Sequence, residues 1–247
     1  MVVAWGMPPG SDDGRRARLR DIRPRFAGRL GVADVATVAN AALGFCAVVA
    51  AAVSPALAAR VLLLAAMVDA VDGILARRYG GSTVGPYLDS LADVASFCVA
   101  PAALLAAVAH AAWQGPSFLA AVAVGACFVA AGVVRLGLYT ADDVGNGHTE
   151  GVPTTLAGTL LAAAVLAGVT DPALVVGFGA VLAAAMVTCL PYPDLRVRDA
   201  LVMGAVQALA VLAPGALGRL FPRALLAFAL AYAVLGPWFY RVGEGKR

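Results

Sequence analysis

Apolar and polar residues are segregated along this chain into long blocks rather than finely interleaved. Apolar runs cover about 33–53, 56–76, 84–110, 117–139, 153–169, 172–190, 199–213 and 218–240. A helix that crosses a bilayer needs about 20 such residues. Most of the runs reach that length; 153–169 and 199–213 are short, which predicts tilted or partly interfacial helices. The breaks between runs carry turn chemistry, as at Ser54-Pro55, Gly80-Gly81-Ser82, Asp171-Pro172 and Pro214-Gly215. The pattern therefore predicts an all-α integral membrane protein, a bundle of six to eight transmembrane helices. Three parts follow: a polar arm over 1–31, a six-helix core over 32–190, and two further helices with a short basic tail over 191–247.

Composition agrees with that reading. Of the 247 residues 62% are hydrophobic and only 13% are charged, whereas a soluble domain carries about 25% charged residues. One small core cannot absorb the excess, so lipid must solvate much of it. Cys46, Cys98, Cys127 and Cys189 stand singly in apolar runs, which argues against a zinc site or a disulfide framework.

Charge adds orientation. The arm holds Arg15, Arg16, Arg18, Arg20, Arg23, Arg25 and Arg29 directly before the first run. Attraction to anionic headgroups, about 1 kcal/mol per basic residue near the surface, explains it more simply than nucleic-acid binding. With eight spans, 14 of the 18 basic residues fall on one side. The positive-inside rule then puts both termini and the loop 77–83 on the cytoplasmic side of the cell membrane.

Next to that loop the apolar pattern is broken by acids. Asp69 and Asp72 interrupt the second run, Asp89 and Asp93 the third. A carboxylate at the bilayer centre costs about 2.5–3.5 kcal/mol on insertion scales, and these segments hold too few cations to compensate four. Residues three or four apart share a helix face, and the turn through Gly80-Gly81 makes the two helices antiparallel neighbours. Four oxygen donors can then converge, which suits Mg²⁺ or Mn²⁺ and, through them, a phosphate-bearing substrate. Gly73 and Ala76 leave one helix face open to a flat ligand, Gly85 does the same on the next helix, and Arg77 can fork onto phosphate oxygens.

From Asp69 the chain reads DAVDGILAR, then seven residues, then GPYLDSLAD ending at Asp93. This resembles the signature of the CDP-alcohol phosphatidyltransferase family, Dx2DGx2ARx8Gx3Dx3D, with every fixed residue present and one residue fewer in the loop. The resemblance extends over about 33–190. It implies two divalent ions held by Asp69, Asp72, Asp89 and Asp93, with Asp93 also the general base. It further implies a CDP-lipid bound by Gly73, Ala76, Arg77 and Gly85, release of CMP, and a homodimer. TVANAALG, from Thr37 to Gly44, resembles the TxxNxxxG segment of the family's first helix. Asn40 would there bind either the nucleotide or the neighbouring helix.

The stretch LDSLADVASFCVAPAALL from Leu88 is similar to the phosphatidylserine synthase branch, and the opening RPRFAGRLGVADVATVANAALGF to archaeal members using CDP-archaeol. The resemblance thus implies L-serine as acceptor, in a phosphatidyl or archaetidyl transfer. Where the branch shows RLARFN this chain has RLGLYT, which keeps Arg135 as candidate for the serine carboxylate. Two alternatives stand beside it: a sibling transferase using glycerol 3-phosphate or an inositol phosphate, and a divalent-cation transporter. The latter would be expected to repeat its acids in a second half, and this chain does not. The polar segment with Asp142, Asp143, His148 and Glu150 is expected to be a solvated loop, and His110 an interface residue.

Overall fold

The computed structural model describes residues 30–143, 148–193 and 197–244; the basic arm and the C-terminal Lys246 and Arg247 lie outside them. Eight helices account for nearly all of the described chain: α1 Val32–Val53, α2 Pro55–Tyr79, α3 Gly85–His110, α4 Gly115–Leu138, α5 Thr154–Ala167, α6 Pro172–Met186, α7 Val197–Leu212 and α8 Leu220–Glu244.

Local chemistry sets the boundaries. Ser54 caps α2, its hydroxyl accepting from the Leu57 N–H, and Pro55 supplies the first helical position. Asp171 caps α6 in the same way, accepting from Ala173 N at 2.8 Å. Gly80 (φ 85°) ends α2 and Gly168 (φ 104°) ends α5, both in a backbone region that disfavours side chains. Within α3 the segment Val94–Val99 is π-helical, with Ala100 N bonded to Ala95 O. That wider turn lies just ahead of Pro101, which has no N–H for the ordinary ladder.

Among the described residues four helices are long and apolar enough to cross a membrane: Val32–Val53, Gly85–His110, Gly115–Ala141 and Ala216–Trp238. With 25 residues α2 has the length, but it carries Arg60, Asp69, Asp72, Arg77 and Arg78. Large side chains such as Val35, Phe45, Val49, Leu119, Val181 and Trp238 are exposed on the outer surface. An apolar exterior of that extent requires lipid. This is a multi-pass membrane protein.

The short fifth run has a different explanation from the one its length suggests. At 1.5 Å per residue α5 is only about 21 Å long, yet every residue in it except Thr155 is buried. It is the central post of the bundle, packed against α2, α6 and α8. Surrounded by protein, it has no need to match the bilayer thickness.

Because lipid tails are as apolar as leucine, packing rather than water exclusion holds such helices together. Gly44 on α1 meets the Ala95–Ser96 backbone of α3, and Gly132 on α4 meets Cys98. Two polar bonds tie α2 to α7: the buried Gln207 Nε2 donates to the Leu63 carbonyl at 2.7 Å, and the half-buried Arg60 Nε to the Val211 carbonyl at 2.8 Å. The second also satisfies a carbonyl in the last turn of α7, where the helix cannot do so itself.

One expectation changes. The polar segment after α4 was expected to be solvated loop, but His148–Glu150 pairs antiparallel with Pro191–Pro193. Pairing satisfies backbone groups at the mouth of the bundle. Tyr192 reinforces it, buried and donating to the Ala233 carbonyl at 2.8 Å. His110 is exposed at the end of α3, its ring 5.0 Å from that of Phe118.

Candidate active site

The acidic residues come from the facing ends of α2 and α3, joined by the short turn 80–84. Asp69, Asp89 and Asp93 each present a carboxylate oxygen within 4.8 Å of the others. Asp69 and Asp89 are half-buried, and Asp93 is 7% exposed. Their mutual repulsion is an instability that a cation would remove.

Asp72 stands apart from this triad. One turn along α2, it lines a cleft of about 290 Å³ together with Asp89, Gly73, Ala76, Gly85, Thr37 and Ser82. Asp89 belongs to both groups and so joins triad to cleft. Asp72 Oδ2 and Asp93 Oδ1 are buried without a hydrogen-bond partner among the described residues. An all-oxygen donor set with orphaned, buried carboxylate atoms fits hard divalent ions such as Mg²⁺ or Mn²⁺.

Of the five residues expected to bind the CDP-lipid, Gly73, Ala76 and Gly85 line that cleft. Arg77 folds back over the helix: a Cβ on Gly73 would lie 3.5 Å from its Nη1. Asn40 is fully buried and does not line the cleft. Its side-chain amide donates to Asp69 Oδ1 at 3.3 Å, and its carbonyl accepts from Ser96 Oγ at 2.8 Å.

Arg135 is 7% exposed in the last turn of α4. Nη2 donates to Thr149 Oγ1 at 3.0 Å, and the guanidinium lies 5.6 Å from the centre of the Tyr139 ring. Side chains of residues 142–148 lie outside the described set.

Reading the sequence missed several neighbours. Asp34, Ser82 and Tyr139 line the cleft, and Thr155 Oγ1 lies 3.5 Å from Asp69 Oδ2. Asp34 had a signal of its own, being an acid at the start of an apolar run. The others had none, because a hydroxyl in a helix or turn is unremarkable until its neighbours are known.

Helices enough for a multi-pass bundle, and a carboxylate-lined site between two of them, define a membrane protein with an acidic site embedded in it. Residues 30–235 match the model of the CDP-alcohol phosphatidyltransferase family. The chain belongs to that family, a transferase that moves a phosphatidyl-type group from a CDP-alcohol in phospholipid biosynthesis. The match reaches past residue 190 through α7 and into α8. No curated protein matches the chain significantly.

Proposed function

We propose that the chain transfers a phosphatidyl or archaetidyl group from a CDP-activated lipid to L-serine, with release of CMP, at the cytoplasmic face of the cell membrane. The observation that carries the transfer chemistry is the carboxylate triad of Asp69, Asp89 and Asp93 opening through Asp89 onto a glycine-lined cleft. The cytoplasmic side rests on the distribution of Arg and Lys. The choice of serine rests on the resemblance of the Leu88–Leu105 stretch.

In this reading Asp69, Asp72, Asp89 and Asp93 would hold two divalent ions, Mg²⁺ or Mn²⁺. When bound, such ions neutralise charge on diphosphate oxygens and ease departure of the nucleotide. Asn40 positions Asp69 through its amide. Gly73, Ala76 and Gly85 leave the cleft open for the cytidine, and Arg77 supplies a guanidinium for the diphosphate. Asp93 takes the proton of the acceptor hydroxyl; the freed oxygen bonds to the lipid-side phosphorus as the bond to the CMP oxygen breaks. Burial of Asp93 keeps water from competing for the same phosphorus. Arg135 pairs with the serine carboxylate.

The direct test uses purified full-length protein with CDP-lipid, a divalent ion and a panel of acceptors, reading CMP release. Chelator should abolish release, and Mg²⁺ or Mn²⁺ should restore it; full activity in chelator would sink the two-metal reading. Serine should be the fastest acceptor. If glycerol 3-phosphate or an inositol phosphate releases CMP much faster, the acceptor assignment fails while the transferase class stands.

Arg135 gives a finer prediction. Arg135→Ala should raise KM for serine about tenfold or more, with little change in CDP-lipid affinity. Arg135→Lys should recover only part of the loss, because an ammonium cannot make the two-pronged carboxylate contact. Thermal melting must be followed in parallel, since the side chain also holds Thr149. An unchanged serine KM in a folded Arg135→Ala protein would remove Arg135 from the acceptor site.

A further inference from the structure

The last helix, α8, contains Pro237. A proline has no N–H, so the carbonyl four residues earlier, that of Ala233, loses its helical donor. Tyr192 supplies a replacement, its hydroxyl donating to the Ala233 carbonyl at 2.8 Å. The ring is 2% exposed and lies along Gly236, with Cδ1 3.4 Å from where a Cβ would stand. Tyr232 flanks it, the two ring centres 6.0 Å apart. Together Pro237, Gly236 and the Ala233 carbonyl form a seat on α8 for this one side chain.

Tyr192 is the middle residue of the strand Pro191–Pro193, and directly opposite it stands Thr149. Further along the ribbon the Gly151 N–H donates to the Leu190 carbonyl at 2.9 Å. Bonded pairs alternate in an antiparallel ladder, which makes Thr149 and Tyr192 the next bonded pair. Pro191 and Pro193 then fall where no N–H is required. Residues directly opposite each other project from one face of the ribbon. On that face Thr149 Oγ1 accepts from Arg135 Nη2 at 3.0 Å. Arg135 is in this way tied to α8 through the Thr149 hydroxyl, one rung of the ribbon and the Tyr192 hydroxyl.

We propose that Tyr192 is a positioning residue for the acceptor: acting through Thr149, it holds the Arg135 guanidinium in the plane that takes a carboxylate on two prongs. This rests on the reading above that Arg135 pairs with the serine carboxylate. Two parallel N–H···O bonds demand a fixed guanidinium plane. A side chain that swings must be ordered anew at each binding event, which weakens the bound state. Neither Tyr192 nor Thr149 belongs to the acidic triad, so the chemical step is untouched. An effect of this kind weakens serine binding equally before and during reaction, and it raises KM without lowering kcat.

The experiment measures CMP release by purified full-length protein with CDP-lipid, serine and Mg²⁺, yielding KM for each substrate and kcat, with the melting temperature alongside. Tyr192→Phe removes only the hydroxyl. It should raise the serine KM about fivefold, the worth of one hydrogen bond, with CDP-lipid KM and kcat within about twofold of wild type. Thr149→Val should do the same, and Thr149→Ser, which keeps the hydroxyl, should recover most of the loss. Tyr192→Phe with Thr149→Val should be no worse than Thr149→Val alone, because both act through one contact. Pro237→Ala added to Tyr192→Phe gives Ala233 a helical donor again, so the melting temperature should recover while the serine KM stays raised. A serine KM raised by Arg135→Ala but unmoved in folded Tyr192→Phe and Thr149→Val proteins overturns the proposal and leaves Arg135 in the acceptor site. A serine KM that Arg135→Ala does not move removes Arg135 from that site, and the proposal with it. If all three constants worsen in Tyr192→Phe and recover with the melting temperature in the Pro237→Ala double variant, Tyr192 is structural only and the proposal fails.

Discussion

Replacing Asp93 by Asn in the full-length protein should lower CMP release by about 10²–10⁴-fold, the contribution of a positioned general base, while CDP-lipid still binds. The two side chains have nearly the same shape, so packing around this buried position is preserved. What is lost is the ability to take a proton and one negative charge beside Asp69 and Asp89. Asp93 Oδ1 is buried with no hydrogen-bond partner among the described residues, so the amide does not disrupt a bond seen there. Asp69→Asn and Asp89→Asn should behave differently, weakening Mn²⁺ binding as well as turnover, because excess metal recovers part of their loss. Asp72→Asn, on the cleft side, should weaken CDP-lipid binding together with metal. Paramagnetic relaxation by Mn²⁺ alongside CMP release separates these outcomes. An Asp93→Asn protein that turns over near the wild-type rate at saturating metal would show that another group takes the proton.

The second large effect is expected from a residue that touches no substrate. Gly44→Val should lower the melting temperature by several degrees and cut turnover at least tenfold. A Cβ at Gly44 would lie 2.6 Å from Ser96 Oγ and 2.8 Å from both the Ala95 carbonyl carbon and Ser96 Cα. Two of those atoms are backbone of α3, so no rotamer change relieves the overlap and the helices must part. Overpacking of this kind costs about 1–3 kcal/mol and sometimes more. The effect on activity follows from Asn40, one turn earlier on the same helix. Separation of α1 from α3 breaks the Ser96 bond to the Asn40 carbonyl and draws the Asn40 amide from Asp69. Gly177→Ala is the control: among the described residues nothing lies within 4 Å of a Cβ there, so its melting temperature and activity should stay near wild type. If Gly44→Val melts and turns over like wild type, close α1–α3 approach is not what holds Asp69.

Much of the helical framework was legible because hydropathy and turn chemistry act locally. The runs predicted from 33–53 and 56–76 appear as Val32–Val53 and Pro55–Tyr79, the latter extended by charged residues that a hydropathy reading trims. Ser54-Pro55 and Asp171-Pro172 set helix starts as expected, since a cap and a proline need only their own neighbours. The spacing of Asp69 with Asp72 and of Asp89 with Asp93 likewise followed from helical period alone. The sequence could not order the four carboxylates. Spacing treats them as equals, whereas the folded chain gathers Asp69, Asp89 and Asp93 and leaves Asp72 on the cleft wall.

What the sequence determined by itself, then, was a membrane-embedded helical chain with acids on the facing ends of two neighbouring helices. Both properties are set by residues within a few positions of one another. Tertiary structure alone decided that the short α5 stands at the centre, that Asn40 serves Asp69 from 29 positions away, and that Asp34 closes the cleft beside Gly85. Those contacts depend on which helix faces meet and how closely. In a bilayer that is governed by where small residues such as Gly44 allow two backbones to touch, a property of helix pairs that no single segment encodes.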